Sequence, residues 1–105
     1  MTTGLFIGRF QPFHKGHLAI IKQALTIVDE LIIVIGTAQE SRTKDNPLTI
    51  EERQLLIEKT LKVEKINSYR IFSLPDIHDD EKYVKHVEKH LPSFEVVFVG
   101  ENELN

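Results

Sequence analysis

Leu5-Phe6-Ile7-Gly8-Arg9-Phe10-Gln11-Pro12-Phe13-His14-Lys15-Gly16-His17 is the stretch on which the fold of this chain turns. Leu5-Phe6-Ile7 is a short apolar run stopped by Gly8, the pattern of a buried strand. Beyond it Leu18, Ile21, Leu25 and Val28 recur at helical spacing, and Ile20, Ala24 and Ile27 widen the stripe. That spacing predicts a helix over residues 16–28. The two glycines and two histidines therefore fall in a strand-to-helix turn.

The same alternation continues outward. Leu31 to Ile35 is a second continuous apolar run, rich in β-branched residues and stopped by Gly36. Thr49 and Glu52 stand three apart, a capping-box start for a helix running to about Val63 with Leu56, Ile57 and Leu61 on its apolar side. Tyr69 to Leu74 reads as a third strand, halted by Pro75. Tyr83, Val84, Val87 and Leu91 predict a third helix over residues 80–91, and Glu95 to Val99 a fourth strand ending at Gly100. The order βαβαβαβ, with strands that are apolar throughout, predicts a Rossmann-like parallel sheet of at least four strands with helices on both faces. In such sheets ligands sit outside the carboxyl ends of the strands. The expected functional positions therefore follow Gly8, Gly36, Leu74 and Gly100. The longest loop, Thr37 to Leu48, begins at one of them, and loops of that length are commonly functional.

Composition narrows the chemistry. The chain has 105 residues, enough for one modest domain, and 41% of them are apolar. It has no cysteine, so disulfides, thiolate catalysis and Cys-ligated zinc are excluded. Thirteen basic against 16 acidic residues give a formal charge of −3, which argues against a broad nucleic-acid surface. No apolar run reaches membrane-spanning length. Met1 to Gly8 lacks the basic start of a secretory signal, and the expectation is a cytoplasmic protein. Arg9, Lys15, Lys22, Arg42, Lys44 and Arg53 gather in the first half, near the predicted loops, a distribution that suits a small anionic ligand better than a polymer.

The first turn carries the chemistry. Gly8 and Gly16 let the backbone bend and a phosphate come close. The free N–H groups and dipole of a helix N-terminus favour an anion. His14 and His17, three apart, can face one ligand and stabilise charge growing on a phosphoryl oxygen. Arg9 can add a planar fork to a second phosphate. Two plainer roles fit the same residues: ligation of a metal, and capping of the helix. No carboxylate lies in the turn to complete a metal site, and none is expected. The turn carries neither the Gly-x-Gly-x-x-Gly of dinucleotide dehydrogenases nor the Gly-Lys-Ser/Thr of P-loop enzymes. Farther on, His86 and His90 lie four apart near Glu81 and Glu88, a spacing read as a solvated helix face.

Gly8 to His17 resembles the signature of the nucleotidyltransferase superfamily with a His/Thr-x-Gly-His motif, and its longer form resembles the archaeal-type nicotinamide-nucleotide adenylyltransferase family. Three further stretches agree in order: Gly36 to Ser41, Asn46-Pro47-Leu48-Thr49 through Glu52-Arg53, and Pro75-Asp76-Ile77-His78 followed by Tyr83 and His86. The resemblance implies transfer of the adenylyl group of ATP to nicotinamide mononucleotide (NMN), giving NAD and pyrophosphate. It implies that His14, His17 and Arg9 are the catalytic set. ATP would be bound by Gly8, Arg9, Phe10, His14, Gly16, His17, Arg42 and Gly100. NMN would be bound by Ile7, Gln39, Arg53, Asp76, Ile77 and Tyr83. Mg²⁺ would be carried chiefly by the phosphate oxygens, and a homo-oligomer follows by family analogy.

The chain departs from the family pattern at several points. Arg42 stands where the family usually has His, Tyr83 where it has Trp, and Asp79 and Asp80 where Asn is common. Family members also continue past a fourth strand into a fifth and a Ser-x-Thr-x-x-Arg helix start. Residues 1–105 are accordingly expected to be one nucleotidyltransferase domain, incomplete at its C-terminal end, with little or no turnover of its own. An adenylyl- or cytidylyltransferase for another phosphorylated acceptor, and a nucleotide-binding module without turnover, remain the alternatives.

Overall fold

A computed structural model of the chain describes residues 1–36, 47–74 and 91–98. Strand β1 (Thr3–Gly8) leads to helix α1 (Lys15–Ala24), then β2 (Glu30–Ile35), helix α2 (Ile50–Val63), β3 (Tyr69–Ser73) and β4 (Val96–Phe98). The four strands form one parallel sheet in the order β3-β2-β1-β4. This is a Rossmann-like arrangement, with β1 and β2 in the middle. Leu5 lies beside Ile32 and Phe6 beside Ile33, while Phe6 meets Phe98 on the other side. The expected third helix and Val99 fall mostly or wholly outside the described residues.

The central strands are apolar throughout because both their faces are covered. One face carries Phe6, Leu31, Ile33 and Ile35, packed against Ile21 and Ala24 of α1 and Ile57 and Leu61 of α2. Leu5, Ile32 and Val34 face the other way, against Leu74, with Ile7, Phe72, Leu91 and Phe94 around them. Each fully buried aliphatic or Phe side chain contributes about 1.5–3 kcal/mol. The two described helices thus share one face. Strands β3 and β4 are the two edges of the sheet, and Leu91 and Phe94, which precede β4, pack against that second face.

Helix α2 starts at the expected capping box, in which Glu52 N–H donates to Thr49 Oγ1 at 3.1 Å and Thr49 N–H to Glu52 Oε1 at 2.9 Å. Its apolar side differs from the expectation at Leu56, which is 40% exposed, whereas Ile57 and Leu61 are buried. Helix α1 ends at Ala24, earlier than the expected Val28. The Thr26 hydroxyl donates back to the Gln23 carbonyl at 2.6 Å, and the N–H groups of Thr26 and Ile27 bond three residues back, tightening the last turn. Ile27 is consequently exposed and Val28 enters the core from a turn.

Helix α2 closes in a Schellman motif, with Ile66 N–H donating to the Leu61 carbonyl at 2.9 Å and Lys65 N–H to that of Lys62 at 3.1 Å. Lys65 occupies its left-handed position at φ 59°, where glycine is usual. The variant Lys65→Gly is expected to raise stability by about 1 kcal/mol in chemical denaturation, because a Cβ there strains the backbone.

At Gly4 the constraint is space. A Cβ would lie 2.6 Å from the Phe98 ring and 3.2 Å from Val28 Cγ2. Gly4→Ala should cost roughly 1–3 kcal/mol by overpacking. Thermal melts of Gly4→Ala with and without Phe98→Leu check this, the second change recovering part of the loss. Among the described residues no helix is long and apolar enough to cross a membrane.

Candidate functional site

The strand order reverses between β1 and β4, so the crevice beside the carboxyl end of β1 is the switch point where such sheets bind ligands. The Gly8–His17 turn leaves β1 there. Gly8 is buried, and its carbonyl accepts from Gly36 N–H at 2.8 Å, which joins the ends of the two central strands. Phe10 takes φ 54°, an uncommon conformation for a residue with a side chain, and its ring is 1% exposed. It packs edge-on to Phe6 at 5.5 Å and to His17 at 4.7 Å. The Phe10 ring is thus part of the wall behind His17.

His14 and His17 cap the helix for each other. His14 is the N-cap, and its Nδ1 accepts from Gly16 N–H at 3.1 Å. His17 Nδ1 accepts in return from His14 N–H at 3.1 Å. This is a capping box made of two imidazoles. The rings stack with centroids 3.7 Å apart at 25°. His17, 4% exposed, is further enclosed by Phe13 and Phe6. A backbone N–H can only donate, so both Nδ1 atoms must be unprotonated, and each ring keeps its proton on Nε2. Of the roles open in the sequence, capping is the one that the described contacts realise.

This cap changes what the backbone offers. The Gly16 N–H, expected to serve an anion, is already bonded to His14. The field of the helix remains. The first turn of α1 holds no acidic residue, whereas that of α2 holds Glu51 and Glu52. The positive end of α2 is thus offset by its own carboxylates, and that of α1 is left for an anion. Gly16 has a second reason to be glycine: a Cβ would lie 2.9 Å from His14 Cε1 and 3.0 Å from Nδ1.

Arg9 is exposed. Ile7 is half-buried against the second core cluster. Arg53 is 0% exposed and donates to three carbonyls: Nε to Thr49 at 3.3 Å, and Nη1 to Arg9 at 3.2 Å and Gly36 at 2.9 Å. Sequence reasoning passed over Gln11. Its Oε1 accepts from Leu48 N–H at 2.8 Å and its Nε2 donates to the Leu48 carbonyl at 3.0 Å. Only a contact between segments 37 residues apart reveals that role. Gln39, Arg42, Asp76, Ile77, Tyr83, His86, His90 and Gly100 lie outside the described residues. Among the described residues no three His, Cys, Asp or Glu gather as a metal site.

With this turn, sheet order and imidazole pair in place, the comparisons with known proteins agree. The cytidylyltransferase-like family model matches residues 5–103, and the chain belongs to that family. A nicotinamide-nucleotide adenylyltransferase of Ignicoccus hospitalis is 50% identical over 95 residues, covering 89% of this chain and 56% of the relative. One of Thermoplasma acidophilum is 48% identical over 94 residues, covering 90% and 52%. The chain spans about half the length of the curated relatives it matches. Among solved structures, a bifunctional NMN adenylyltransferase/ADP ribose pyrophosphatase of Francisella tularensis, complexed with AMP and a manganese ion, superposes with TM-score 0.77 at 35% identity. That match covers 93% of this chain and 31% of the other.

Gly16→Ala separates helix propensity from site geometry. Alanine in a helix interior is worth about 1 kcal/mol over glycine, yet the clash must move the His14 ring. Stability should change little while ¹⁵N spectra of the imidazoles lose the single Nε2–H pattern at His14.

Proposed function

We propose that the protein transfers the adenylyl group of ATP to nicotinamide mononucleotide, releasing NAD and pyrophosphate. The observation that carries this reading is the pair of capped imidazoles, two fixed N–H donors at the helix end beside the switch point. The names of the curated relatives support the acceptor. In the reaction a phosphate oxygen of NMN attacks the α-phosphorus of ATP in line. The bond from that phosphorus to the α–β bridging oxygen breaks, and the electron pair leaves with pyrophosphate.

The chain needs no nucleophile of its own for this step. His14 and His17 would donate Nε2–H to ATP phosphate oxygens, where negative charge grows as the bond lengthens. Neither imidazole has to give up its proton. Exposed Arg9 would grip a further phosphate. The buried Gly8 would let the nucleotide lie close to the end of β1. By family resemblance Arg42 and Gly100 would complete the ATP contacts, and Gln39, Asp76, Ile77 and Tyr83 those to NMN. Mg²⁺, when bound, offsets triphosphate charge and is carried chiefly by phosphate oxygens. The AMP and manganese ion in the Francisella structure support use of a divalent cation. Residues 1–105 would form part of one nucleotidyltransferase domain, working in the cytoplasm.

His17→Ala tests this in the full-length protein with ATP and NMN, read by NAD formation. Loss of one such donor should lower turnover by about 10²–10³-fold with the fold intact by circular dichroism. Unchanged turnover would remove the reading.

A further inference from the structure

The chain between β1 and α1 is held in an unusual way. Among the described residues no backbone-to-backbone hydrogen bond fixes residues 9–13. Yet this segment contains a left-handed Phe10 and must deliver His14 to the start of α1 within the tolerance of the imidazole cap. Strained backbone persists only where its surroundings over-determine it. Besides ring packing at Phe10 and Phe13, two polar side chains supply that determination. The Gln11 amide pairs with both polar groups of Leu48, as a neighbouring strand would. The Arg53 guanidinium, wholly buried, reaches the Arg9 carbonyl while also holding the Gly36 and Thr49 carbonyls. A buried guanidinium is costly unless its donors are satisfied, and these carbonyls supply part of that satisfaction.

We propose that Gln11 and Arg53 are positioning residues for the imidazole pair. They fix the backbone of residues 9–11 against the end of β2 and the start of α2, and so set where His14 and His17 present their Nε2–H groups. What the imidazoles then bind rests on the adenylyl-transfer reading; the positioning itself does not. The proposal gives Arg53 a different task from direct contact with NMN. An enclosed fork that spans three carbonyls is suited to shaping a loop, and a point-charge lysine cannot reproduce it.

The variants are Gln11→Ala, Arg53→Lys and Arg53→Met, each checked for folding by circular dichroism. Four readouts are compared with the wild-type chain: imidazole ¹⁵N shifts, hydrogen exchange at the Leu48 amide, and the affinities for ATP and for NMN. Positioning requires that Gln11→Ala speed exchange at Leu48, give His14 and His17 mixed tautomers, and weaken ATP about three- to tenfold. Arg53→Lys should behave like Arg53→Met, without rescue. If the Arg53 variants fail to fold, Gln11→Ala carries the test alone. Unaltered imidazole shifts with unaltered ATP affinity in Gln11→Ala would overturn the proposal. So would an Arg53→Lys chain that loses only NMN affinity while its imidazole spectrum stays wild-type. Should the wild-type chain bind no ATP, the functional reading fails, and the tautomer and exchange measurements still decide the positioning.

Discussion

At the start of α1 two backbone N–H groups meet imidazole nitrogens, and that constraint governs the rest of the site. A peptide N–H cannot accept, so the acceptor nitrogen must be bare and the proton is forced to the far side of each ring. The helix end, the tautomer and the direction of the donors are therefore one decision. The rings stack on each other, and Phe6, Phe10 and Phe13 wall in the His17 ring. Gly16 belongs to the same device, since only a missing Cβ leaves room for the folded-back His14 ring.

The sheet puts this device where it can act. β1 is central, with β2 on one side and β4 on the other, so its carboxyl end opens onto the reversal point of the strand order. Burial of both faces makes the central strands rigid, and the Gly36–Gly8 hydrogen bond carries that rigidity past their ends. Among the described residues no backbone-to-backbone hydrogen bond continues from it along residues 9–13. Side-chain amide and guanidinium groups take over its role, which is why a cation sits in the core with backbone carbonyls around it.

Much of the fold was legible because its causes are local. Strands apolar on both faces read as unbroken runs, and Thr49 with Glu52 marked the start of α2 to the residue. The end of α1 was not legible, because the stripe continues to Val28 while the Thr26 hydroxyl and the tightened bonds of the last turn end the helix earlier. Leu56 fits the helical period of α2, yet it is 40% exposed while Ile57 and Leu61 are the positions buried in the core. At the site, the pairing of His14 with His17 followed from spacing. Their capping of each other did not, because the familiar capping box is written in hydroxyls and carboxylates. Family resemblance makes Arg53 an NMN contact, and its enclosure beside the Arg9, Gly36 and Thr49 carbonyls is a feature that no sequence shows. The Gln11–Leu48 clasp joins points too far apart along the chain for any local pattern to reveal.

Strand β4 has a consequence in time. Its three residues pair with β1 across more than ninety positions of chain, and Thr3 N–H donates to the Glu95 carboxylate at 2.7 Å over that separation. The β1-α1-β2 and β2-α2-β3 units close much shorter loops. Loop-closure entropy and contact order place such long-range pairing late in folding. The crevice between β1 and β4 therefore closes after the β1-α1-β2 unit that carries the imidazole pair.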